Sequence, residues 1–232
     1  MNLSQRILGE EITDDLTLAT PEVVENLKEI ALINRWLGGH KASVDAVRQL
    51  LPPNLNEPLT IADLGCGGGD TLKALAQSLK LPNLNFIGID GNACALAYAK
   101  AQNVNNATIN FTHADLFSKE FKEQKFDIAH LSLVCHHFTN EQLISLFKQL
   151  KKQCRYGFVI NDLHRHKLAM WGIKSLNGLV VKTRLGQHDG VQSVKRGFTY
   201  SELEALLQAA QIENFRIKWK WAFRWLVVVY LQ

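Results

Sequence analysis

The stretch Ile61-Ala-Asp63-Leu-Gly65-Cys-Gly67-Gly-Gly69-Asp70 decides the fold of this 232-residue chain. It opens as a short apolar run and leads into an amphipathic run, Asp70 to Leu79, that reads as helix. Glycines at such a strand-to-helix turn let the backbone approach a ligand closely, and the helix N-terminus favours an anion. An acidic residue closes the next apolar run, Phe86-Ile-Gly88-Ile-Asp90. In a doubly wound sheet that carboxylate stands beside a bound ribose. The third glycine of a G-x-G-x-x-G fingerprint would fall on Asp70, and no Gly-Lys-Ser/Thr follows, which excludes a P-loop. The pattern is Asp-x-Gly-x-Gly-x-Gly, suited to an adenosine cofactor. A dinucleotide-binding dehydrogenase is the alternative at this point. Such a protein carries a second domain for its substrate, and residues 1–58 and 163–200 are too few for one.

Working outward, apolar and amphipathic runs alternate. Leu59–Leu64, Asn85–Asp90, Thr108–His113, Phe126–Leu131 and Phe158–Asp162 read as strands. Asp70–Leu79, Ala93–Gln102, Asn140–Lys152 and Ser201–Ala210 read as helices, the last with Ser201 and Glu204 spaced as a capping box. The runs Phe215–Trp221 and Trp225–Leu231 are separated by a tight gap, so an antiparallel hairpin is expected at the sheet edge. The fold class is therefore α/β, a doubly wound, mostly parallel seven-stranded sheet with a C-terminal hairpin. Residues 21–51 read as helix broken at Gly38-Gly39, with a second helix over Ser43–Leu51 and a connector from Pro52 to Pro58. Residues 1–58 thus form an N-terminal helical lid on a domain covering 59–232. Residues 163–200 leave the alternation, and a segment this long is expected to fold as a cap over the pocket.

Composition narrows the class. Hydrophobic residues make up 47% and charged residues 21%, ordinary for a globular chain and not for a disordered or fibrous one. No apolar stretch is long enough to span a membrane, and the acidic first thirty residues carry no secretory signal, so a cytoplasmic protein is expected. Cys66, Cys94, Cys135 and Cys154 are widely spaced, without a CxxC, so neither a zinc site nor a disulfide framework is expected. Charge is uneven. Residues 1–150 hold 12 Lys/Arg against 17 Asp/Glu, and residues 151–232 hold 14 against 5. A basic third with four of the five tryptophans fits nucleic acid, an anionic substrate or a membrane surface, or else a solvated face.

The glycine stretch resembles motif I of class I S-adenosylmethionine-dependent methyltransferases. Asp90 matches their ribose-binding acidic residue, with Gly91 after it. Asp115-Leu116 matches the pair flanking adenine, and Phe126-Asp127 through Leu133-Val-Cys135-His136-His137-Phe138 resembles their fourth-strand motif. The resemblance implies S-adenosyl-L-methionine as cofactor and a methyltransferase activity. It implies that Gly65 and Gly67 meet the amino-acid end and ribose, that Asp63 holds the loop or the cofactor amine, that Asp115 accepts from the adenine amino group with Leu116 packed on the ring, that Leu131 is also a cofactor-binding residue, and that Arg35 reaches the methionine carboxylate from the lid. Methyl transfer needs positioning, exclusion of water and, for a hydroxyl acceptor, a base. His136 and His137 follow the fourth strand, and His164 follows the fifth in Asn161-Asp162-Leu-His164-Arg165-His166. His164 is the first candidate for that base.

The acceptor is argued by exclusion. No Asn/Asp-Pro-Pro-Tyr/Phe motif follows the fourth strand, nor paired glutamates, nor acidic metal ligands, so no metal is expected. The acidic start, Asn34-Arg35-Trp-Leu-Gly38-Gly39 and the Asn161–His166 string are similar to bacterial small-molecule methyltransferases associated with type III polyketide synthases. That resemblance implies O-methylation of a phenolic or polyketide-type hydroxyl on an apolar or aromatic small molecule, with no nucleic-acid partner. The alternatives are an RNA methyltransferase and a non-catalytic ligand-binding module on the same fold.

Overall fold

The computed structural model describes residues 3–7, 9–54, 57–104 and 108–232. Leu55 and Asn56 of the connector lie outside the described residues. The chain opens with a one-turn helix at Ile12–Asp14, then α1 (Pro21–Trp36) and α2 (Gly39–Arg48). β1 (Leu59–Leu64), α3 (Asp70–Leu79), β2 (Leu84–Asp90), α4 (Ala93–Gln102), β3 (Ile109–His113), α5 (Lys119–Lys122) and β4 (Phe126–Ser132) follow. Then come α6 (Asn140–Gln153), β5 (Cys154–Leu163), α7 (Lys167–Leu176), α8 (Arg184–Arg196), α9 (Tyr200–Ala209), β6 (Phe215–Lys220) and β7 (Arg224–Tyr230).

The seven strands form one sheet in the order β3-β2-β1-β4-β5-β7-β6. β1 pairs in parallel with β2 and β4, and β5 with β4, while β7 runs antiparallel to both β5 and β6. The expected hairpin is thus present. Strand order reverses between β1 and β4, so their carboxyl ends open a crevice where ligands bind in such sheets. The inner strands are buried on both faces, as parallel strands under two helical layers must be. One face carries α6 and α9 on Leu131, Phe147, Phe158 and Leu203; the other carries α2 and α3 on Val47, Ile61, Leu72 and Phe86. Among the described residues no helix is long and apolar enough to cross a membrane.

Three local readings are corrected. α2 begins at Gly39, because Gly38 takes a left-handed conformation (φ +76°) and the helix restarts at once, without waiting for Ser43. The capping box of α9 is Thr199 with Glu202, the Thr199 hydroxyl accepting from the Glu202 N–H and the Glu202 carboxylate from the Thr199 N–H. β5 runs for ten residues from Cys154, since α6 passes straight into it; Cys154-Arg-Tyr-Gly157 lacks the apolar signal that betrays a strand. Residues 163–200 fold as α7 and α8, tied to the sheet end by the His164–Phe198 bridge. The two N-terminal acidic helical turns fasten onto this cap. Glu29 accepts from the N–H groups of Lys182 and Thr183, Glu22 from that of Arg184, and Asp189 from those of Ile12 and Thr13. Carboxylates at the open N-terminus of α8 satisfy donors the helix leaves unpaired.

Candidate functional site

A cavity of about 490 Å³ lies between the glycine loop, α1, α7, α8 and the β6–β7 turn. Its walls are mostly apolar: Leu27, Ile30, Ile33 and Leu37 from α1, Ile173 and Leu176 from α7, Phe223 from the turn. At the sheet edge it meets Asp63, Gly65, Gly67, Gly68, Ser132, Leu133, His136 and His137. Several buried polar atoms on this wall have no hydrogen-bond partner among the described residues: Asn26 Oδ1, Asn34 Oδ1, Ser132 Oγ, Glu11 Oε1 and Arg224 Nε. Buried polar groups are ordinarily paired, so these are the wall atoms with hydrogen-bonding capacity left over.

The glycine loop is built around a left-handed backbone. Gly65 has φ +69°, and a Cβ there would stand 2.4 Å from the Val134 side chain. Gly65→Ala is therefore expected to cost about 2–4 kcal/mol, from backbone strain plus overpacking. A melting curve should show that as a fall of roughly 4–16 °C; an unchanged midpoint would count against this loop geometry. Asp90 anchors the same loop. Its carboxylate accepts from the Gly67 N–H at 2.7 Å and the Asn92 N–H at 2.8 Å. Burial pushes the Asp90 carboxyl up, against those two donors. Gly91 lies under Leu16, and Asn92 donates to the Leu18 carbonyl, so the segment before α1 covers this edge. Asp63 is buried in a polar chain: its Oδ1 is 2.7 Å from His130 Nδ1, His130 Nε2 is 2.8 Å from the Ser43 hydroxyl, and Ser43 accepts from Asn161. Asp115 is exposed and accepts from the Phe117 N–H, while Leu116 and Leu131 are buried in the core beneath the sheet edge and do not line the cavity.

Arg35 is exposed and lies outside the cavity wall. Its neighbour Asn34 is the buried one, donating to Thr71. The cavity's guanidinium is Arg224, at the start of β7, buried with Nε unpartnered and its Nη1 3.5 Å from Asn161 Oδ1. Burial lowers it to about 10, still charged at neutral pH.

Two of the three candidate histidines reach the cavity. His136 is buried, with Nδ1 2.7 Å from Asp162 Oδ1 and its backbone N–H on Asp162 Oδ2. Burial works to raise the Asp162 carboxyl; the His136 imidazole and the Leu163 N–H outweigh it and hold the carboxyl below its usual range. His137 is half-exposed, Nδ1 2.6 Å from Asp14 Oδ1. The rings lie 4.3 Å apart. Asp14 is also bonded by Arg196, and these donors overcome burial and depress it strongly. Opposite both Nε2 atoms stands Glu11, at 3.8 Å from His136 and 3.9 Å from His137, pushed up by burial to about 7.

His164 does not line the cavity. Its ring packs among His166, Phe223 and Trp225, with Nδ1 buried and unpartnered. β5 ends at Leu163, which lines the cavity, and His164 directly after it turns to the aromatic cluster, while Asp162 is fully buried behind His136. Arg165 is spent on structure, donating to Leu3 and Gly197 carbonyls and to both oxygens of Glu202. Burial foremost, with the charges of His166 and Arg165, lowers the His164 pKa. The folded protein then binds fewer protons there than the unfolded chain, so this contribution to stability is present above about pH 6.5 and lost as pH falls. Wild type is expected to lose more melting temperature than His164→Gln as pH falls below about 6.5; parallel melting curves would rule the group out.

Glu11, Arg224 and Asn34 were not legible as site residues. Asn34 and Glu11 lay inside strings used for the resemblance but were not singled out, and Arg224 carried no sequence signal; packing brings all three to the cavity.

Residues 61–157 match the family model described as "Methyltransferase domain". An uncharacterized methyltransferase of Synechocystis sp. is 36% identical over 108 residues, 45% of this chain and 47% of that protein. Human N-acetylserotonin methyltransferase, solved with S-adenosylmethionine, superposes at TM-score 0.64 and 19% identity, over 90% of this chain and 56% of that one. The plantazolicin methyltransferase BpumL, solved with S-adenosylhomocysteine, gives TM-score 0.62 and 18% identity, over 90% and 99%. At such identities the likeness is one of fold. The chain spans about half the length of the Synechocystis protein and of the human enzyme.

Proposed function

We propose, on the premise that residues 61–157 form a methyltransferase domain, that the chain transfers a methyl group from S-adenosylmethionine to a hydroxyl of a small apolar, phenolic or polyketide-type molecule. The observation that carries this is one cavity with the glycine loop at one end and two carboxylate-held imidazoles on its wall.

The residues present fit the cofactor. Arg224, a buried guanidinium with a free Nε on the cavity wall, suits the methionine carboxylate better than exposed Arg35. Asp63 at the loop suits the cofactor amine, and Asp90 with Gly65, Gly67 and Gly91 suits the ribose side. Asp115, exposed beyond β3, is available to an adenine amino group, with Leu116 and Leu131 behind it. The bound cofactor supplies an activated methyl group. The lid and the cap, joined through Glu22, Glu29 and Asp189, exclude water from the cavity. His136 and His137 face the acceptor; a hydroxyl there donates to an Nε2 lone pair, and the proton passes to it as the oxygen attacks. Asp162 fixes the His136 ring and favours its protonated form.

The apolar walls favour an apolar acceptor over RNA. The basic C-terminal third also spends Arg165, Arg196 and Arg224 in buried contacts, leaving less for phosphates. Incubation with methyl-labelled cofactor and separate pools of alkylphenols and structured RNA tests the choice. Label is expected in the phenol fraction. Label in RNA, with the salt dependence of phosphate contacts, would replace this reading with RNA methylation.

A further inference from the structure

We propose that Glu11, His136 and His137 form a binding site for one divalent transition-metal ion of the zinc or iron(II) kind. One oxygen or nitrogen from each of the three lies within 4.8 Å of the others. Each imidazole has its other nitrogen on a carboxylate: His136 Nδ1 on Asp162 at 2.7 Å and His137 Nδ1 on Asp14 at 2.6 Å. A carboxylate accepts, so both Nδ1 atoms carry hydrogen and both Nε2 atoms present lone pairs. Those two lone pairs meet the Glu11 carboxylate, whose Oε1 is buried with no hydrogen-bond partner. Three electron-pair donors thus face one another across 3.8 and 3.9 Å, too far for a hydrogen bond. A cation completes the cluster.

The surroundings match a metal site with an open position. Carboxylates behind metal-bound histidines fix the tautomer and raise ligand basicity. Ligand bonds of about 2.0–2.2 Å put donor atoms roughly 3.4 Å apart, so three groups spread over up to 4.8 Å must close by about 0.5–1.4 Å, a side-chain adjustment. Two imidazoles and one carboxylate suit zinc or iron(II) and not magnesium, which prefers oxygen donors. Arg196 Nε stands 3.5 Å from Glu11 Oε1 and the Ser193 hydroxyl donates to Oε2. Arg196 is committed to Asp14 and to the carbonyls of Gly9, His136 and His137, so it holds the ligand loop to the N-terminal segment. The sequence offered no such site because the third ligand comes from Glu11, outside the fourth-strand segment where acidic ligands are expected. All three residues line the cavity, so a cation there has a free face for the acceptor oxygen. That last role rests on the methyl-transfer reading, and in the metal-loaded protein the ion takes both Nε2 lone pairs, so the acceptor hydroxyl meets the ion in place of an imidazole base; the site itself does not rest on that reading.

Untagged full-length protein, stripped with a chelator and dialysed, is titrated with Zn²⁺ by calorimetry and with Co²⁺ by visible absorption. One equivalent is expected with Kd below about 1 μM, and the Co²⁺ adduct should show the intense visible bands of low coordination. His137→Ala and Glu11→Gln should each weaken binding more than about 100-fold, and Asp14→Asn about 10–100-fold. S-adenosylhomocysteine titrated into the same preparations reports folding and the cofactor site independently. No stoichiometric binding by wild type, or binding indifferent to both ligand variants when they retain their fold, overturns the site. Failure of cofactor binding with metal binding intact overturns the methyl-transfer reading instead.

Discussion

Asp90→Ala is expected to weaken S-adenosylhomocysteine binding by more than about 100-fold. Two charge-assisted hydrogen bonds to ribose hydroxyls are each worth about 1.5–3 kcal/mol, and both vanish. The loss has a second source. Asp90 also accepts from the Gly67 N–H, so its removal frees the glycine loop from the end of β2. Asp90→Asn keeps one acceptor and should fall between the two. Calorimetry on both variants, with melting points alongside, separates ligand contact from loop anchoring. Wild-type affinity in Asp90→Ala would remove Asp90 from the cofactor site.

His136→Ala is expected to lower turnover by about 10²–10⁴ with cofactor affinity nearly unchanged. The reason is placement: His136 lines the cavity, is fixed by Asp162, and has no path for its Nε2 except toward Glu11 and the ligand space. Asp162→Asn should follow it, since the neutral amide neither fixes the tautomer nor favours the imidazolium. His164→Ala should stay within about 3-fold of wild type per folded molecule, a difference under about 1 kcal/mol in barrier. A full loss in His164→Ala, with His136→Ala active, would move the chemistry to the far side of Phe223.

The elements around Gly65 and Asp90 were legible because local signals and tertiary placement agree there. A strand followed by a glycine turn and a helix can close only one way in a doubly wound sheet. α3 and α4 matched to the residue, since Asp70 and Asn92-Ala93 mark helix starts that no distant contact displaces. The histidine reading went half way. Both His136-His137 and the Asn161–His166 string lie at the carboxyl edge, yet β5 ends at Leu163, and His164 beyond it packs on Phe223 and Trp225 outside the cavity while buried Asp162 holds His136. The charge imbalance carried a message that composition alone did not resolve. Glu22, Glu29 and Asp189 join lid to cap, and Arg196 joins Asp14 to the loop after β4. Among the described residues, opposite charges of the two ends meet as side chains only where Arg196 pairs with Glu11 and Asp14 and Arg155 with Glu57 and Asp127. Glu11 and Arg224 stayed unassigned because each lies in a run of like charge, the acidic start and the basic C-terminal third, that does not single out one residue, and only packing brings them to the cavity.

The central claim is a cofactor bound in the cavity beside the glycine loop. Titration of S-adenosylhomocysteine into the purified wild-type chain tests it most directly. The expected result is one site with Kd between about 1 and 100 μM, within the range of ordinary enzyme ligands, abolished in Asp90→Ala and weakened in Arg224→Met. Absence of binding by a folded wild-type chain, or binding that neither variant alters, would contradict the account.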